Sequence, residues 1–277
     1  MIEEFHYRIP WRTNNAHPGR HASSQSGSEQ EFYSHMPLMS RPEARNIDVH
    51  ASLLDPFGQF MVRTYRQRSN INVNLIADLS ASMNFQNKMQ LLADFCQSLA
   101  ISAYRSGDHF GFFGCNEQLL ENFHYPNRWY KGGLPELATK LHSYHPDGVN
   151  CYGIQNSPEF LPRQRSLTFL VSDFHFPKKE LSNILDKLIK HDVIPIILWH
   201  PLEYQQLPEW GLFRYQDSET GQSRHLFMRP SLKAKIKAQF DYRRQLLQHL
   251  FSRYGRQPFF ITDHFNPDQM TRYFYEQ

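Results

Sequence analysis

Cysteine is scarce in this 277-residue chain, where Cys96, Cys115 and Cys151 are the whole complement. No spacing pairs them and each lies in or beside an apolar segment, which argues against a disulfide framework. They read as reduced, small core residues of a cytoplasmic protein. Long apolar runs are also missing. The longest, Val193 to Trp199, has the length of a buried strand, far below the roughly 20 residues that span a bilayer. Met1 to Phe5 lacks the basic and apolar parts of a secretory leader, so neither export nor membrane insertion is expected. A formal charge of only +3 gives no footing for nucleic-acid binding. The chain also lacks a phosphate-loop glycine–lysine string and a second acidic cluster. What remains is an ordinary soluble balance, 40% hydrophobic and 21% charged, long enough to bury a full core.

The stretch from Asn72 to Met83 organises the rest. It begins as an apolar strand, Val73-Asn74-Leu75-Ile76-Ala77, and ends in a turn carrying Asp78, Ser80 and Ser82. A helix follows, with Met89, Leu92, Ala93, Cys96, Leu99, Ala100 and Ala103 at spacings of three and four. Strand, polar turn and helix make the first unit of a parallel α/β sheet, whose ligands sit at the carboxyl ends of strands. One carboxylate and two hydroxyls alternating on one side suit a small, hard cation such as Mg²⁺ or Mn²⁺. The plain alternative is capping, since Ser and Asp ahead of a helix commonly satisfy its free N–H groups.

Other segments repeat this grammar. Ser106 to Gly114 turns into a second apolar strand, followed by a hairpin partner near Leu119 to Phe123 and a helix near Leu134 to Leu141. Ser166 to Ser172 is another strand, ending in Asp173 before a helix expected from about Lys178 to His191. A hairpin is expected from Leu212–Tyr215 and His225–Met228 around the turn at 217–221. A long helix from Ser231 to about Tyr254 follows, then a strand at Gln257 to Thr262 and a closing helix from Asn266 to Tyr275. His142 and His145 could share a helix face, but Pro146 and the lack of a neighbouring carboxylate at metal spacing favour plain surface histidines. Ahead of the core, Ser23 to Glu29 reads as a loop flanked by Phe5, Tyr7, Trp11, Phe32 and Tyr33. Met61 to Arg68 alternates apolar and basic residues, as a half-exposed strand does.

The string Asp78-Leu79-Ser80-Ala81-Ser82-Met83 resembles the metal-ion-dependent adhesion site of von Willebrand factor A domains. Arg45-Asn46-Ile47-Asp48, Val62-Arg63-Thr64-Tyr65 and Gly107-Asp108 widen the likeness to one bacterial group. That group stands beside MoxR-type AAA+ ATPases and is catalogued chiefly as a domain of unknown function. Val49 departs from it, standing where the group usually has Trp. The resemblance implies an α/β fold, a von Willebrand factor A-like (Rossmann-like), mostly parallel sheet flanked by helices. It also implies a metal site of Asp78, Ser80, Ser82 and Asp173. The family's further Thr is missing from the loop at 147–153, where Asn150 offers an amide oxygen instead and Asp147 a second carboxylate.

Residues 1–70 are expected to form an irregular, short-stranded arm packed on the core, 71–200 the core itself, and 201–277 a hairpin–helix elaboration completing the same domain. The resemblance implies a non-enzymatic binding module, an adaptor or co-chaperone of a MoxR-type ATPase whose metal is completed by a client's carboxylate. Maturation or assembly of a metalloenzyme or other complex is the implied setting. The alternative is a Mg²⁺-dependent hydrolase of phosphate esters, in which the same ion would polarise phosphate. Nucleic-acid binding through Arg63, Arg66 and Arg68 has only a near-neutral chain behind it.

Overall fold

The computed structural model describes the chain apart from residues 1, 2, 14, 16, 28–30, 41–43, 149, 151, 217–222 and 277. It divides into two compact units, Arg8–Ile71 and a larger one of Met1–Tyr7 with Asn72–Gln277.

The smaller unit is antiparallel. Strands β1 (Pro18–Gly27) and β2 (Glu31–Pro37) flank β4 (Met61–Ser69), and the two-residue β3 (Ile47–Asp48) also pairs with β4. In β4, Val62 and Thr64 are buried while Arg63 points out, the alternation of a half-buried strand. Asp48 caps the short helix α1 (Val49–Leu53) by accepting from the Ala51 amide at 3.1 Å. Its other oxygen accepts from Arg63 Nε at 2.7 Å and lies 2.9 Å from His35 Nε2. The bonds from Arg63, Ala51 and His35 hold the Asp48 carboxyl well below its ordinary range. The expected loop at Ser23 to Glu29 is corrected, because Ser23 to Gly27 lies in β1, while 28 and 29 fall outside the described residues. Pairing with β4 supplies the stability these small polar residues lack, and Ser23 is buried with its hydroxyl on the Thr13 carbonyl at 3.1 Å.

The larger unit is a mixed α/β layer structure around a six-stranded, mostly parallel sheet flanked by helices. Its strands are β5 (Asn72–Asp78), β6 (His109–Cys115), β7 (Leu119–Arg128), β8 (Leu167–Ser172), β9 (Asp192–Leu198) and, after the hairpin β10 (Gly211–Gln216) and β11 (Ser223–Met228), β12 (Phe259–Ile261). The sheet order is β12-β9-β8-β5-β6-β7, with only the β6–β7 pair antiparallel. Every residue of β5 and β8 is buried, as expected of parallel strands covered on both faces. On one face, Phe95 of α2 (Lys88–Ser106) packs against Phe169 of β8, Phe5 and Phe265, with centroids 5.2–6.1 Å away. The remaining helices are α3 (Pro135–Ser143), the single turn α4 (Gly153–Asn156), α5 (Lys178–Lys187), α6 (Pro230–Ser252) and α7 (Pro267–Tyr275). On the other face Ile76, Leu170 and Ile197 meet Ile154 of α4, Leu181, Ile184 and Leu185 of α5, and Leu247, Leu250 and Phe251 of α6.

Helix α5 stops at Lys187, short of the expected His191, because Leu188 closes it and the chain turns into β9. Of the apolar residues Leu232, Ile236, Phe240, Leu246, Leu247, Leu250 and Phe251 along the long helix, Leu247, Leu250 and Phe251 are buried and the others are half-buried. The turn expected at 217–221 lies outside the described residues. Among the described residues no helix is long and apolar enough to cross a membrane.

Candidate metal centre

Three neighbouring parallel strands deliver their last residues to one edge of the sheet. Asp78 ends β5, Ser172 ends β8 with Asp173 directly after it, and Trp199 follows β9. The register sets Ala77 beside Val171, so the two acidic strand ends lie side by side. Asp78 Oδ1 accepts from the Ser80 amide at 2.9 Å and the Ser80 hydroxyl at 2.6 Å, while Oδ2 accepts from the Ser172 hydroxyl at 2.6 Å. The Ser80 and Ser82 hydroxyls are 3.3 Å apart, and Ser82 lies near enough to Asp173 to help lower its carboxyl. Asp78, Ser80, Ser82 and Asp173 therefore converge. Asp78, Ser80 and Asp173 are buried, whereas Ser82 is half-exposed.

Asn150 is not drawn into that cluster by a hydrogen bond, since its amide oxygen accepts from the Tyr152 amide at 3.0 Å within its own loop. The loop nevertheless abuts the site, because Gly148 O accepts from the Ala81 amide at 3.3 Å. Exposed Asp147 accepts from the Tyr144 hydroxyl at 3.1 Å. His142 is exposed, with Nε2 3.9 Å from Asp94 Oδ1. Cys96 and Cys115 are buried free thiols, and burial pushes both thiols far up in pKa. Cys151 lies outside the described residues.

Two features at this edge escape a sequence reading. Lys88, the first residue of α2, is only 1% exposed, and its Nζ donates to Asp173 Oδ2 at 3.0 Å and to Glu203 Oε1 at 2.7 Å. Glu203 is fixed in turn, its other oxygen accepting from the His200 amide at 2.7 Å in a capping box. The one available signal for Lys88 is its position, because a lysine in the first turn opposes the helix dipole and needs a reason to be there. The second feature is backbone geometry. Among the described residues, the only non-glycine positions with positive φ are Gln86 (54°) and Phe174 (52°), which stand just before Lys88 and just after Asp173. A bulky residue such as Phe174 holds that conformation only where its surroundings over-determine it. Here the Phe174 amide donates to the Ser172 hydroxyl at 2.9 Å, its carbonyl is gripped by Arg243 of α6, and Trp199 Nε1 donates to Asp173 O at 2.8 Å.

The electrostatics follow from this packing. Burial, and then the negative charge of Asp173, raises the Asp78 carboxyl to about 6, against the pull of its bonds from Ser172 and Ser80. For Asp173, burial pushes upward but the Lys88 charge, His175 and bonds from Lys88 and Ser82 outweigh it, so its carboxyl is held low. Burial likewise works against the Lys88 charge, and Asp173 and Glu203 together overcome it. Three carboxylates face the Lys88 ammonium, with the Arg243 guanidinium also acting on Asp173, and the remaining negative surplus is one that a bound cation would offset. Among the described residues no three His, Cys, Asp or Glu side chains gather in metal-binding fashion. A cation at this edge would thus draw on serine hydroxyls as well as carboxylates, an all-oxygen set that fits Mg²⁺ or Mn²⁺.

The chain belongs to the protein family of unknown function DUF58, whose model matches residues 43–246. No curated protein matches it. Among solved structures it is similar to the conserved hypothetical protein BatB from Bacteroides thetaiotaomicron, at 11% identity over 75% of this chain and 98% of that one, with a TM-score of 0.43. The same figures hold for an aerotolerance-related membrane protein from Bacteroides fragilis NCTC 9343 bearing multiple mutations to serine. The open conformation of the pilus adhesin SpaC from Lactobacillus rhamnosus GG is 12% identical over 75% of this chain and 29% of its own, also at 0.43. Likenesses this distant say nothing about activity or partner.

Proposed function

We propose that this chain is a von Willebrand factor A-like, metal-dependent protein-binding module rather than an enzyme. In this reading it serves a MoxR-type AAA+ ATPase as an adaptor or co-chaperone, in the maturation or assembly of a metalloenzyme or other complex. The observation that carries the reading is the burial of Asp78 and Asp173 side by side with the Ser80 and Ser82 hydroxyls at one sheet edge. Asp78, Ser80 and Ser82 would hold Mg²⁺ or Mn²⁺, with Asp173 beside them and Asn150 on the adjoining loop. When bound, the ion supplies a Lewis-acidic position that a carboxylate from a client or partner completes. Ser172 and the Ser80 amide orient Asp78, while Arg243 and Trp199 fix the backbone that carries Asp173. Among the described residues, the groups hydrogen-bonded to Asp78 are the Ser80 amide and the Ser80 and Ser172 hydroxyls, a set that orients a ligand.

A paired experiment tests this: pull-down of the MoxR-type ATPase with and without chelator, and a phosphatase panel on the purified chain. Association that is lost on chelation and restored by Mg²⁺ is expected, with no turnover. Metal-insensitive association would contradict docking, and metal-dependent turnover would establish the phosphate-ester hydrolase instead.

A further inference from the structure

Lys88 is the feature that the docking reading leaves unused. It is a buried ammonium with two carboxylate partners, reached across 85 and 115 residues of sequence, at the rim of a site built for a cation. An ammonium deep in protein persists only if its partners offset the lost hydration, and both Asp173 and Glu203 are held in place to do so. The strained residues Gln86 and Phe174 flank the two ends of the Lys88–Asp173 contact, so the backbone itself is shaped around it.

We propose, resting on the metal-docking reading, that Lys88 is a built-in counter-cation that takes Asp173 and Glu203 away from direct ligation. The divalent ion is thereby left to Asp78, Ser80 and Ser82, weakly held and open to a partner's carboxylate. Charge supports this division of labour. Lys88 offsets one of the three carboxylates and the Arg243 guanidinium acts on Asp173 as a second positive charge, so with a divalent ion bound an incoming carboxylate meets no net repulsion. Without Lys88 the loaded centre would carry one positive charge fewer, and Asp173 and Glu203 would be free to fill the position a partner needs. Lys88 is thus a positioning residue that tunes affinity and keeps a coordination site vacant.

The test is calorimetric titration of Mn²⁺ into the full chain, the Lys88→Met variant and the Asp78→Asn variant, with thermal denaturation in chelator and in excess Mg²⁺. Lys88→Met should bind Mn²⁺ about tenfold or more tightly, because a positive charge beside the ion is gone. It should also be less stable in chelator and recover with Mg²⁺, by a larger shift than the parent. A parent that binds Mn²⁺ and a Lys88→Met variant that binds it equally, without recovery, would overturn the role given to Lys88 and leave the docking reading standing. Equal lack of binding by the parent and Asp78→Asn would remove the metal reading, and this inference with it. Should Lys88→Met fail to fold even with Mg²⁺, Glu203→Gln decides. Losing one negative charge while Lys88 stays should weaken Mn²⁺ several-fold, and unchanged affinity would overturn the proposal.

Discussion

At Asp78 two demands conflict, because the residue is buried for its geometry yet its charge is opposed by burial and by Asp173. The folded protein therefore holds a proton there more tightly than the unfolded chain does, with a carboxyl near 6 against an ordinary 3.8. The contribution of that proton to stability is complete below about pH 4 and is lost as pH rises through 6. In chelator, the parent should lose stability relative to Asp78→Asn between pH 4 and 6, and excess Mg²⁺ should reduce the loss. Denaturant melts of both proteins across that range check it, and parallel profiles would contradict it. Asp173 behaves in the opposite way. A strand-end position suggests a residue whose loss the fold would tolerate, but its pairing with buried Lys88 makes Asp173→Ala costly, on the order of 3–5 kcal/mol. Chemical denaturation should show that destabilisation, which makes Asp78 the better position for probing function. At Cys96 and Cys115 burial predicts thiols that react with a labelling reagent only after denaturation, and rapid native labelling would contradict the packing.

At the scale of elements, the unit from β5 through its turn to α2 was legible because its apolar run is continuous and its helix periodic. The pairing of Asp78 with Asp173 was legible too, since acidic residues at successive strand ends converge when the strands lie side by side. The Lys88–Glu203 contact was not, because it joins a helix start to a 3₁₀ turn 115 residues away and no local spacing encodes it. The stretch Ser23 to Gly27 misled for a related reason, as its strand character comes from β4 and not from its own propensity. Close packing around the site gives a sharper test. A Cβ on Gly114 of β6 would lie 2.6 Å from Leu79 Cδ1, next to Asp78 and Ser80, and 2.7 Å from Phe123 Cβ. Gly114→Ala should destabilise the protein by about 1–3 kcal/mol, measured by denaturant melts, and a neutral result would mean that Leu79 and Phe123 have room to move. Arg243 is the other lever, since it alone ties α6 to the Phe174 and Phe176 carbonyls among the hydrogen bonds described.

At the scale of the whole molecule, the DUF58 match runs from residue 43, within the smaller unit, to residue 246, within α6. The two arginine-bearing strings of the smaller unit meet at Asp48, where Arg63 of the second string donates to the last residue of the first at 2.7 Å. In the larger unit the sheet exists to set three strand ends at one edge, and everything proposed for function is built on that edge. The most direct measurement is Mn²⁺ titration followed by electron paramagnetic resonance on the parent and on Asp78→Ala, with circular dichroism confirming that both are folded. One ion per chain at moderate affinity in the parent, and none in Asp78→Ala, is the predicted result. Equal uptake by the two folded proteins, or none by either, would contradict a divalent centre at Asp78.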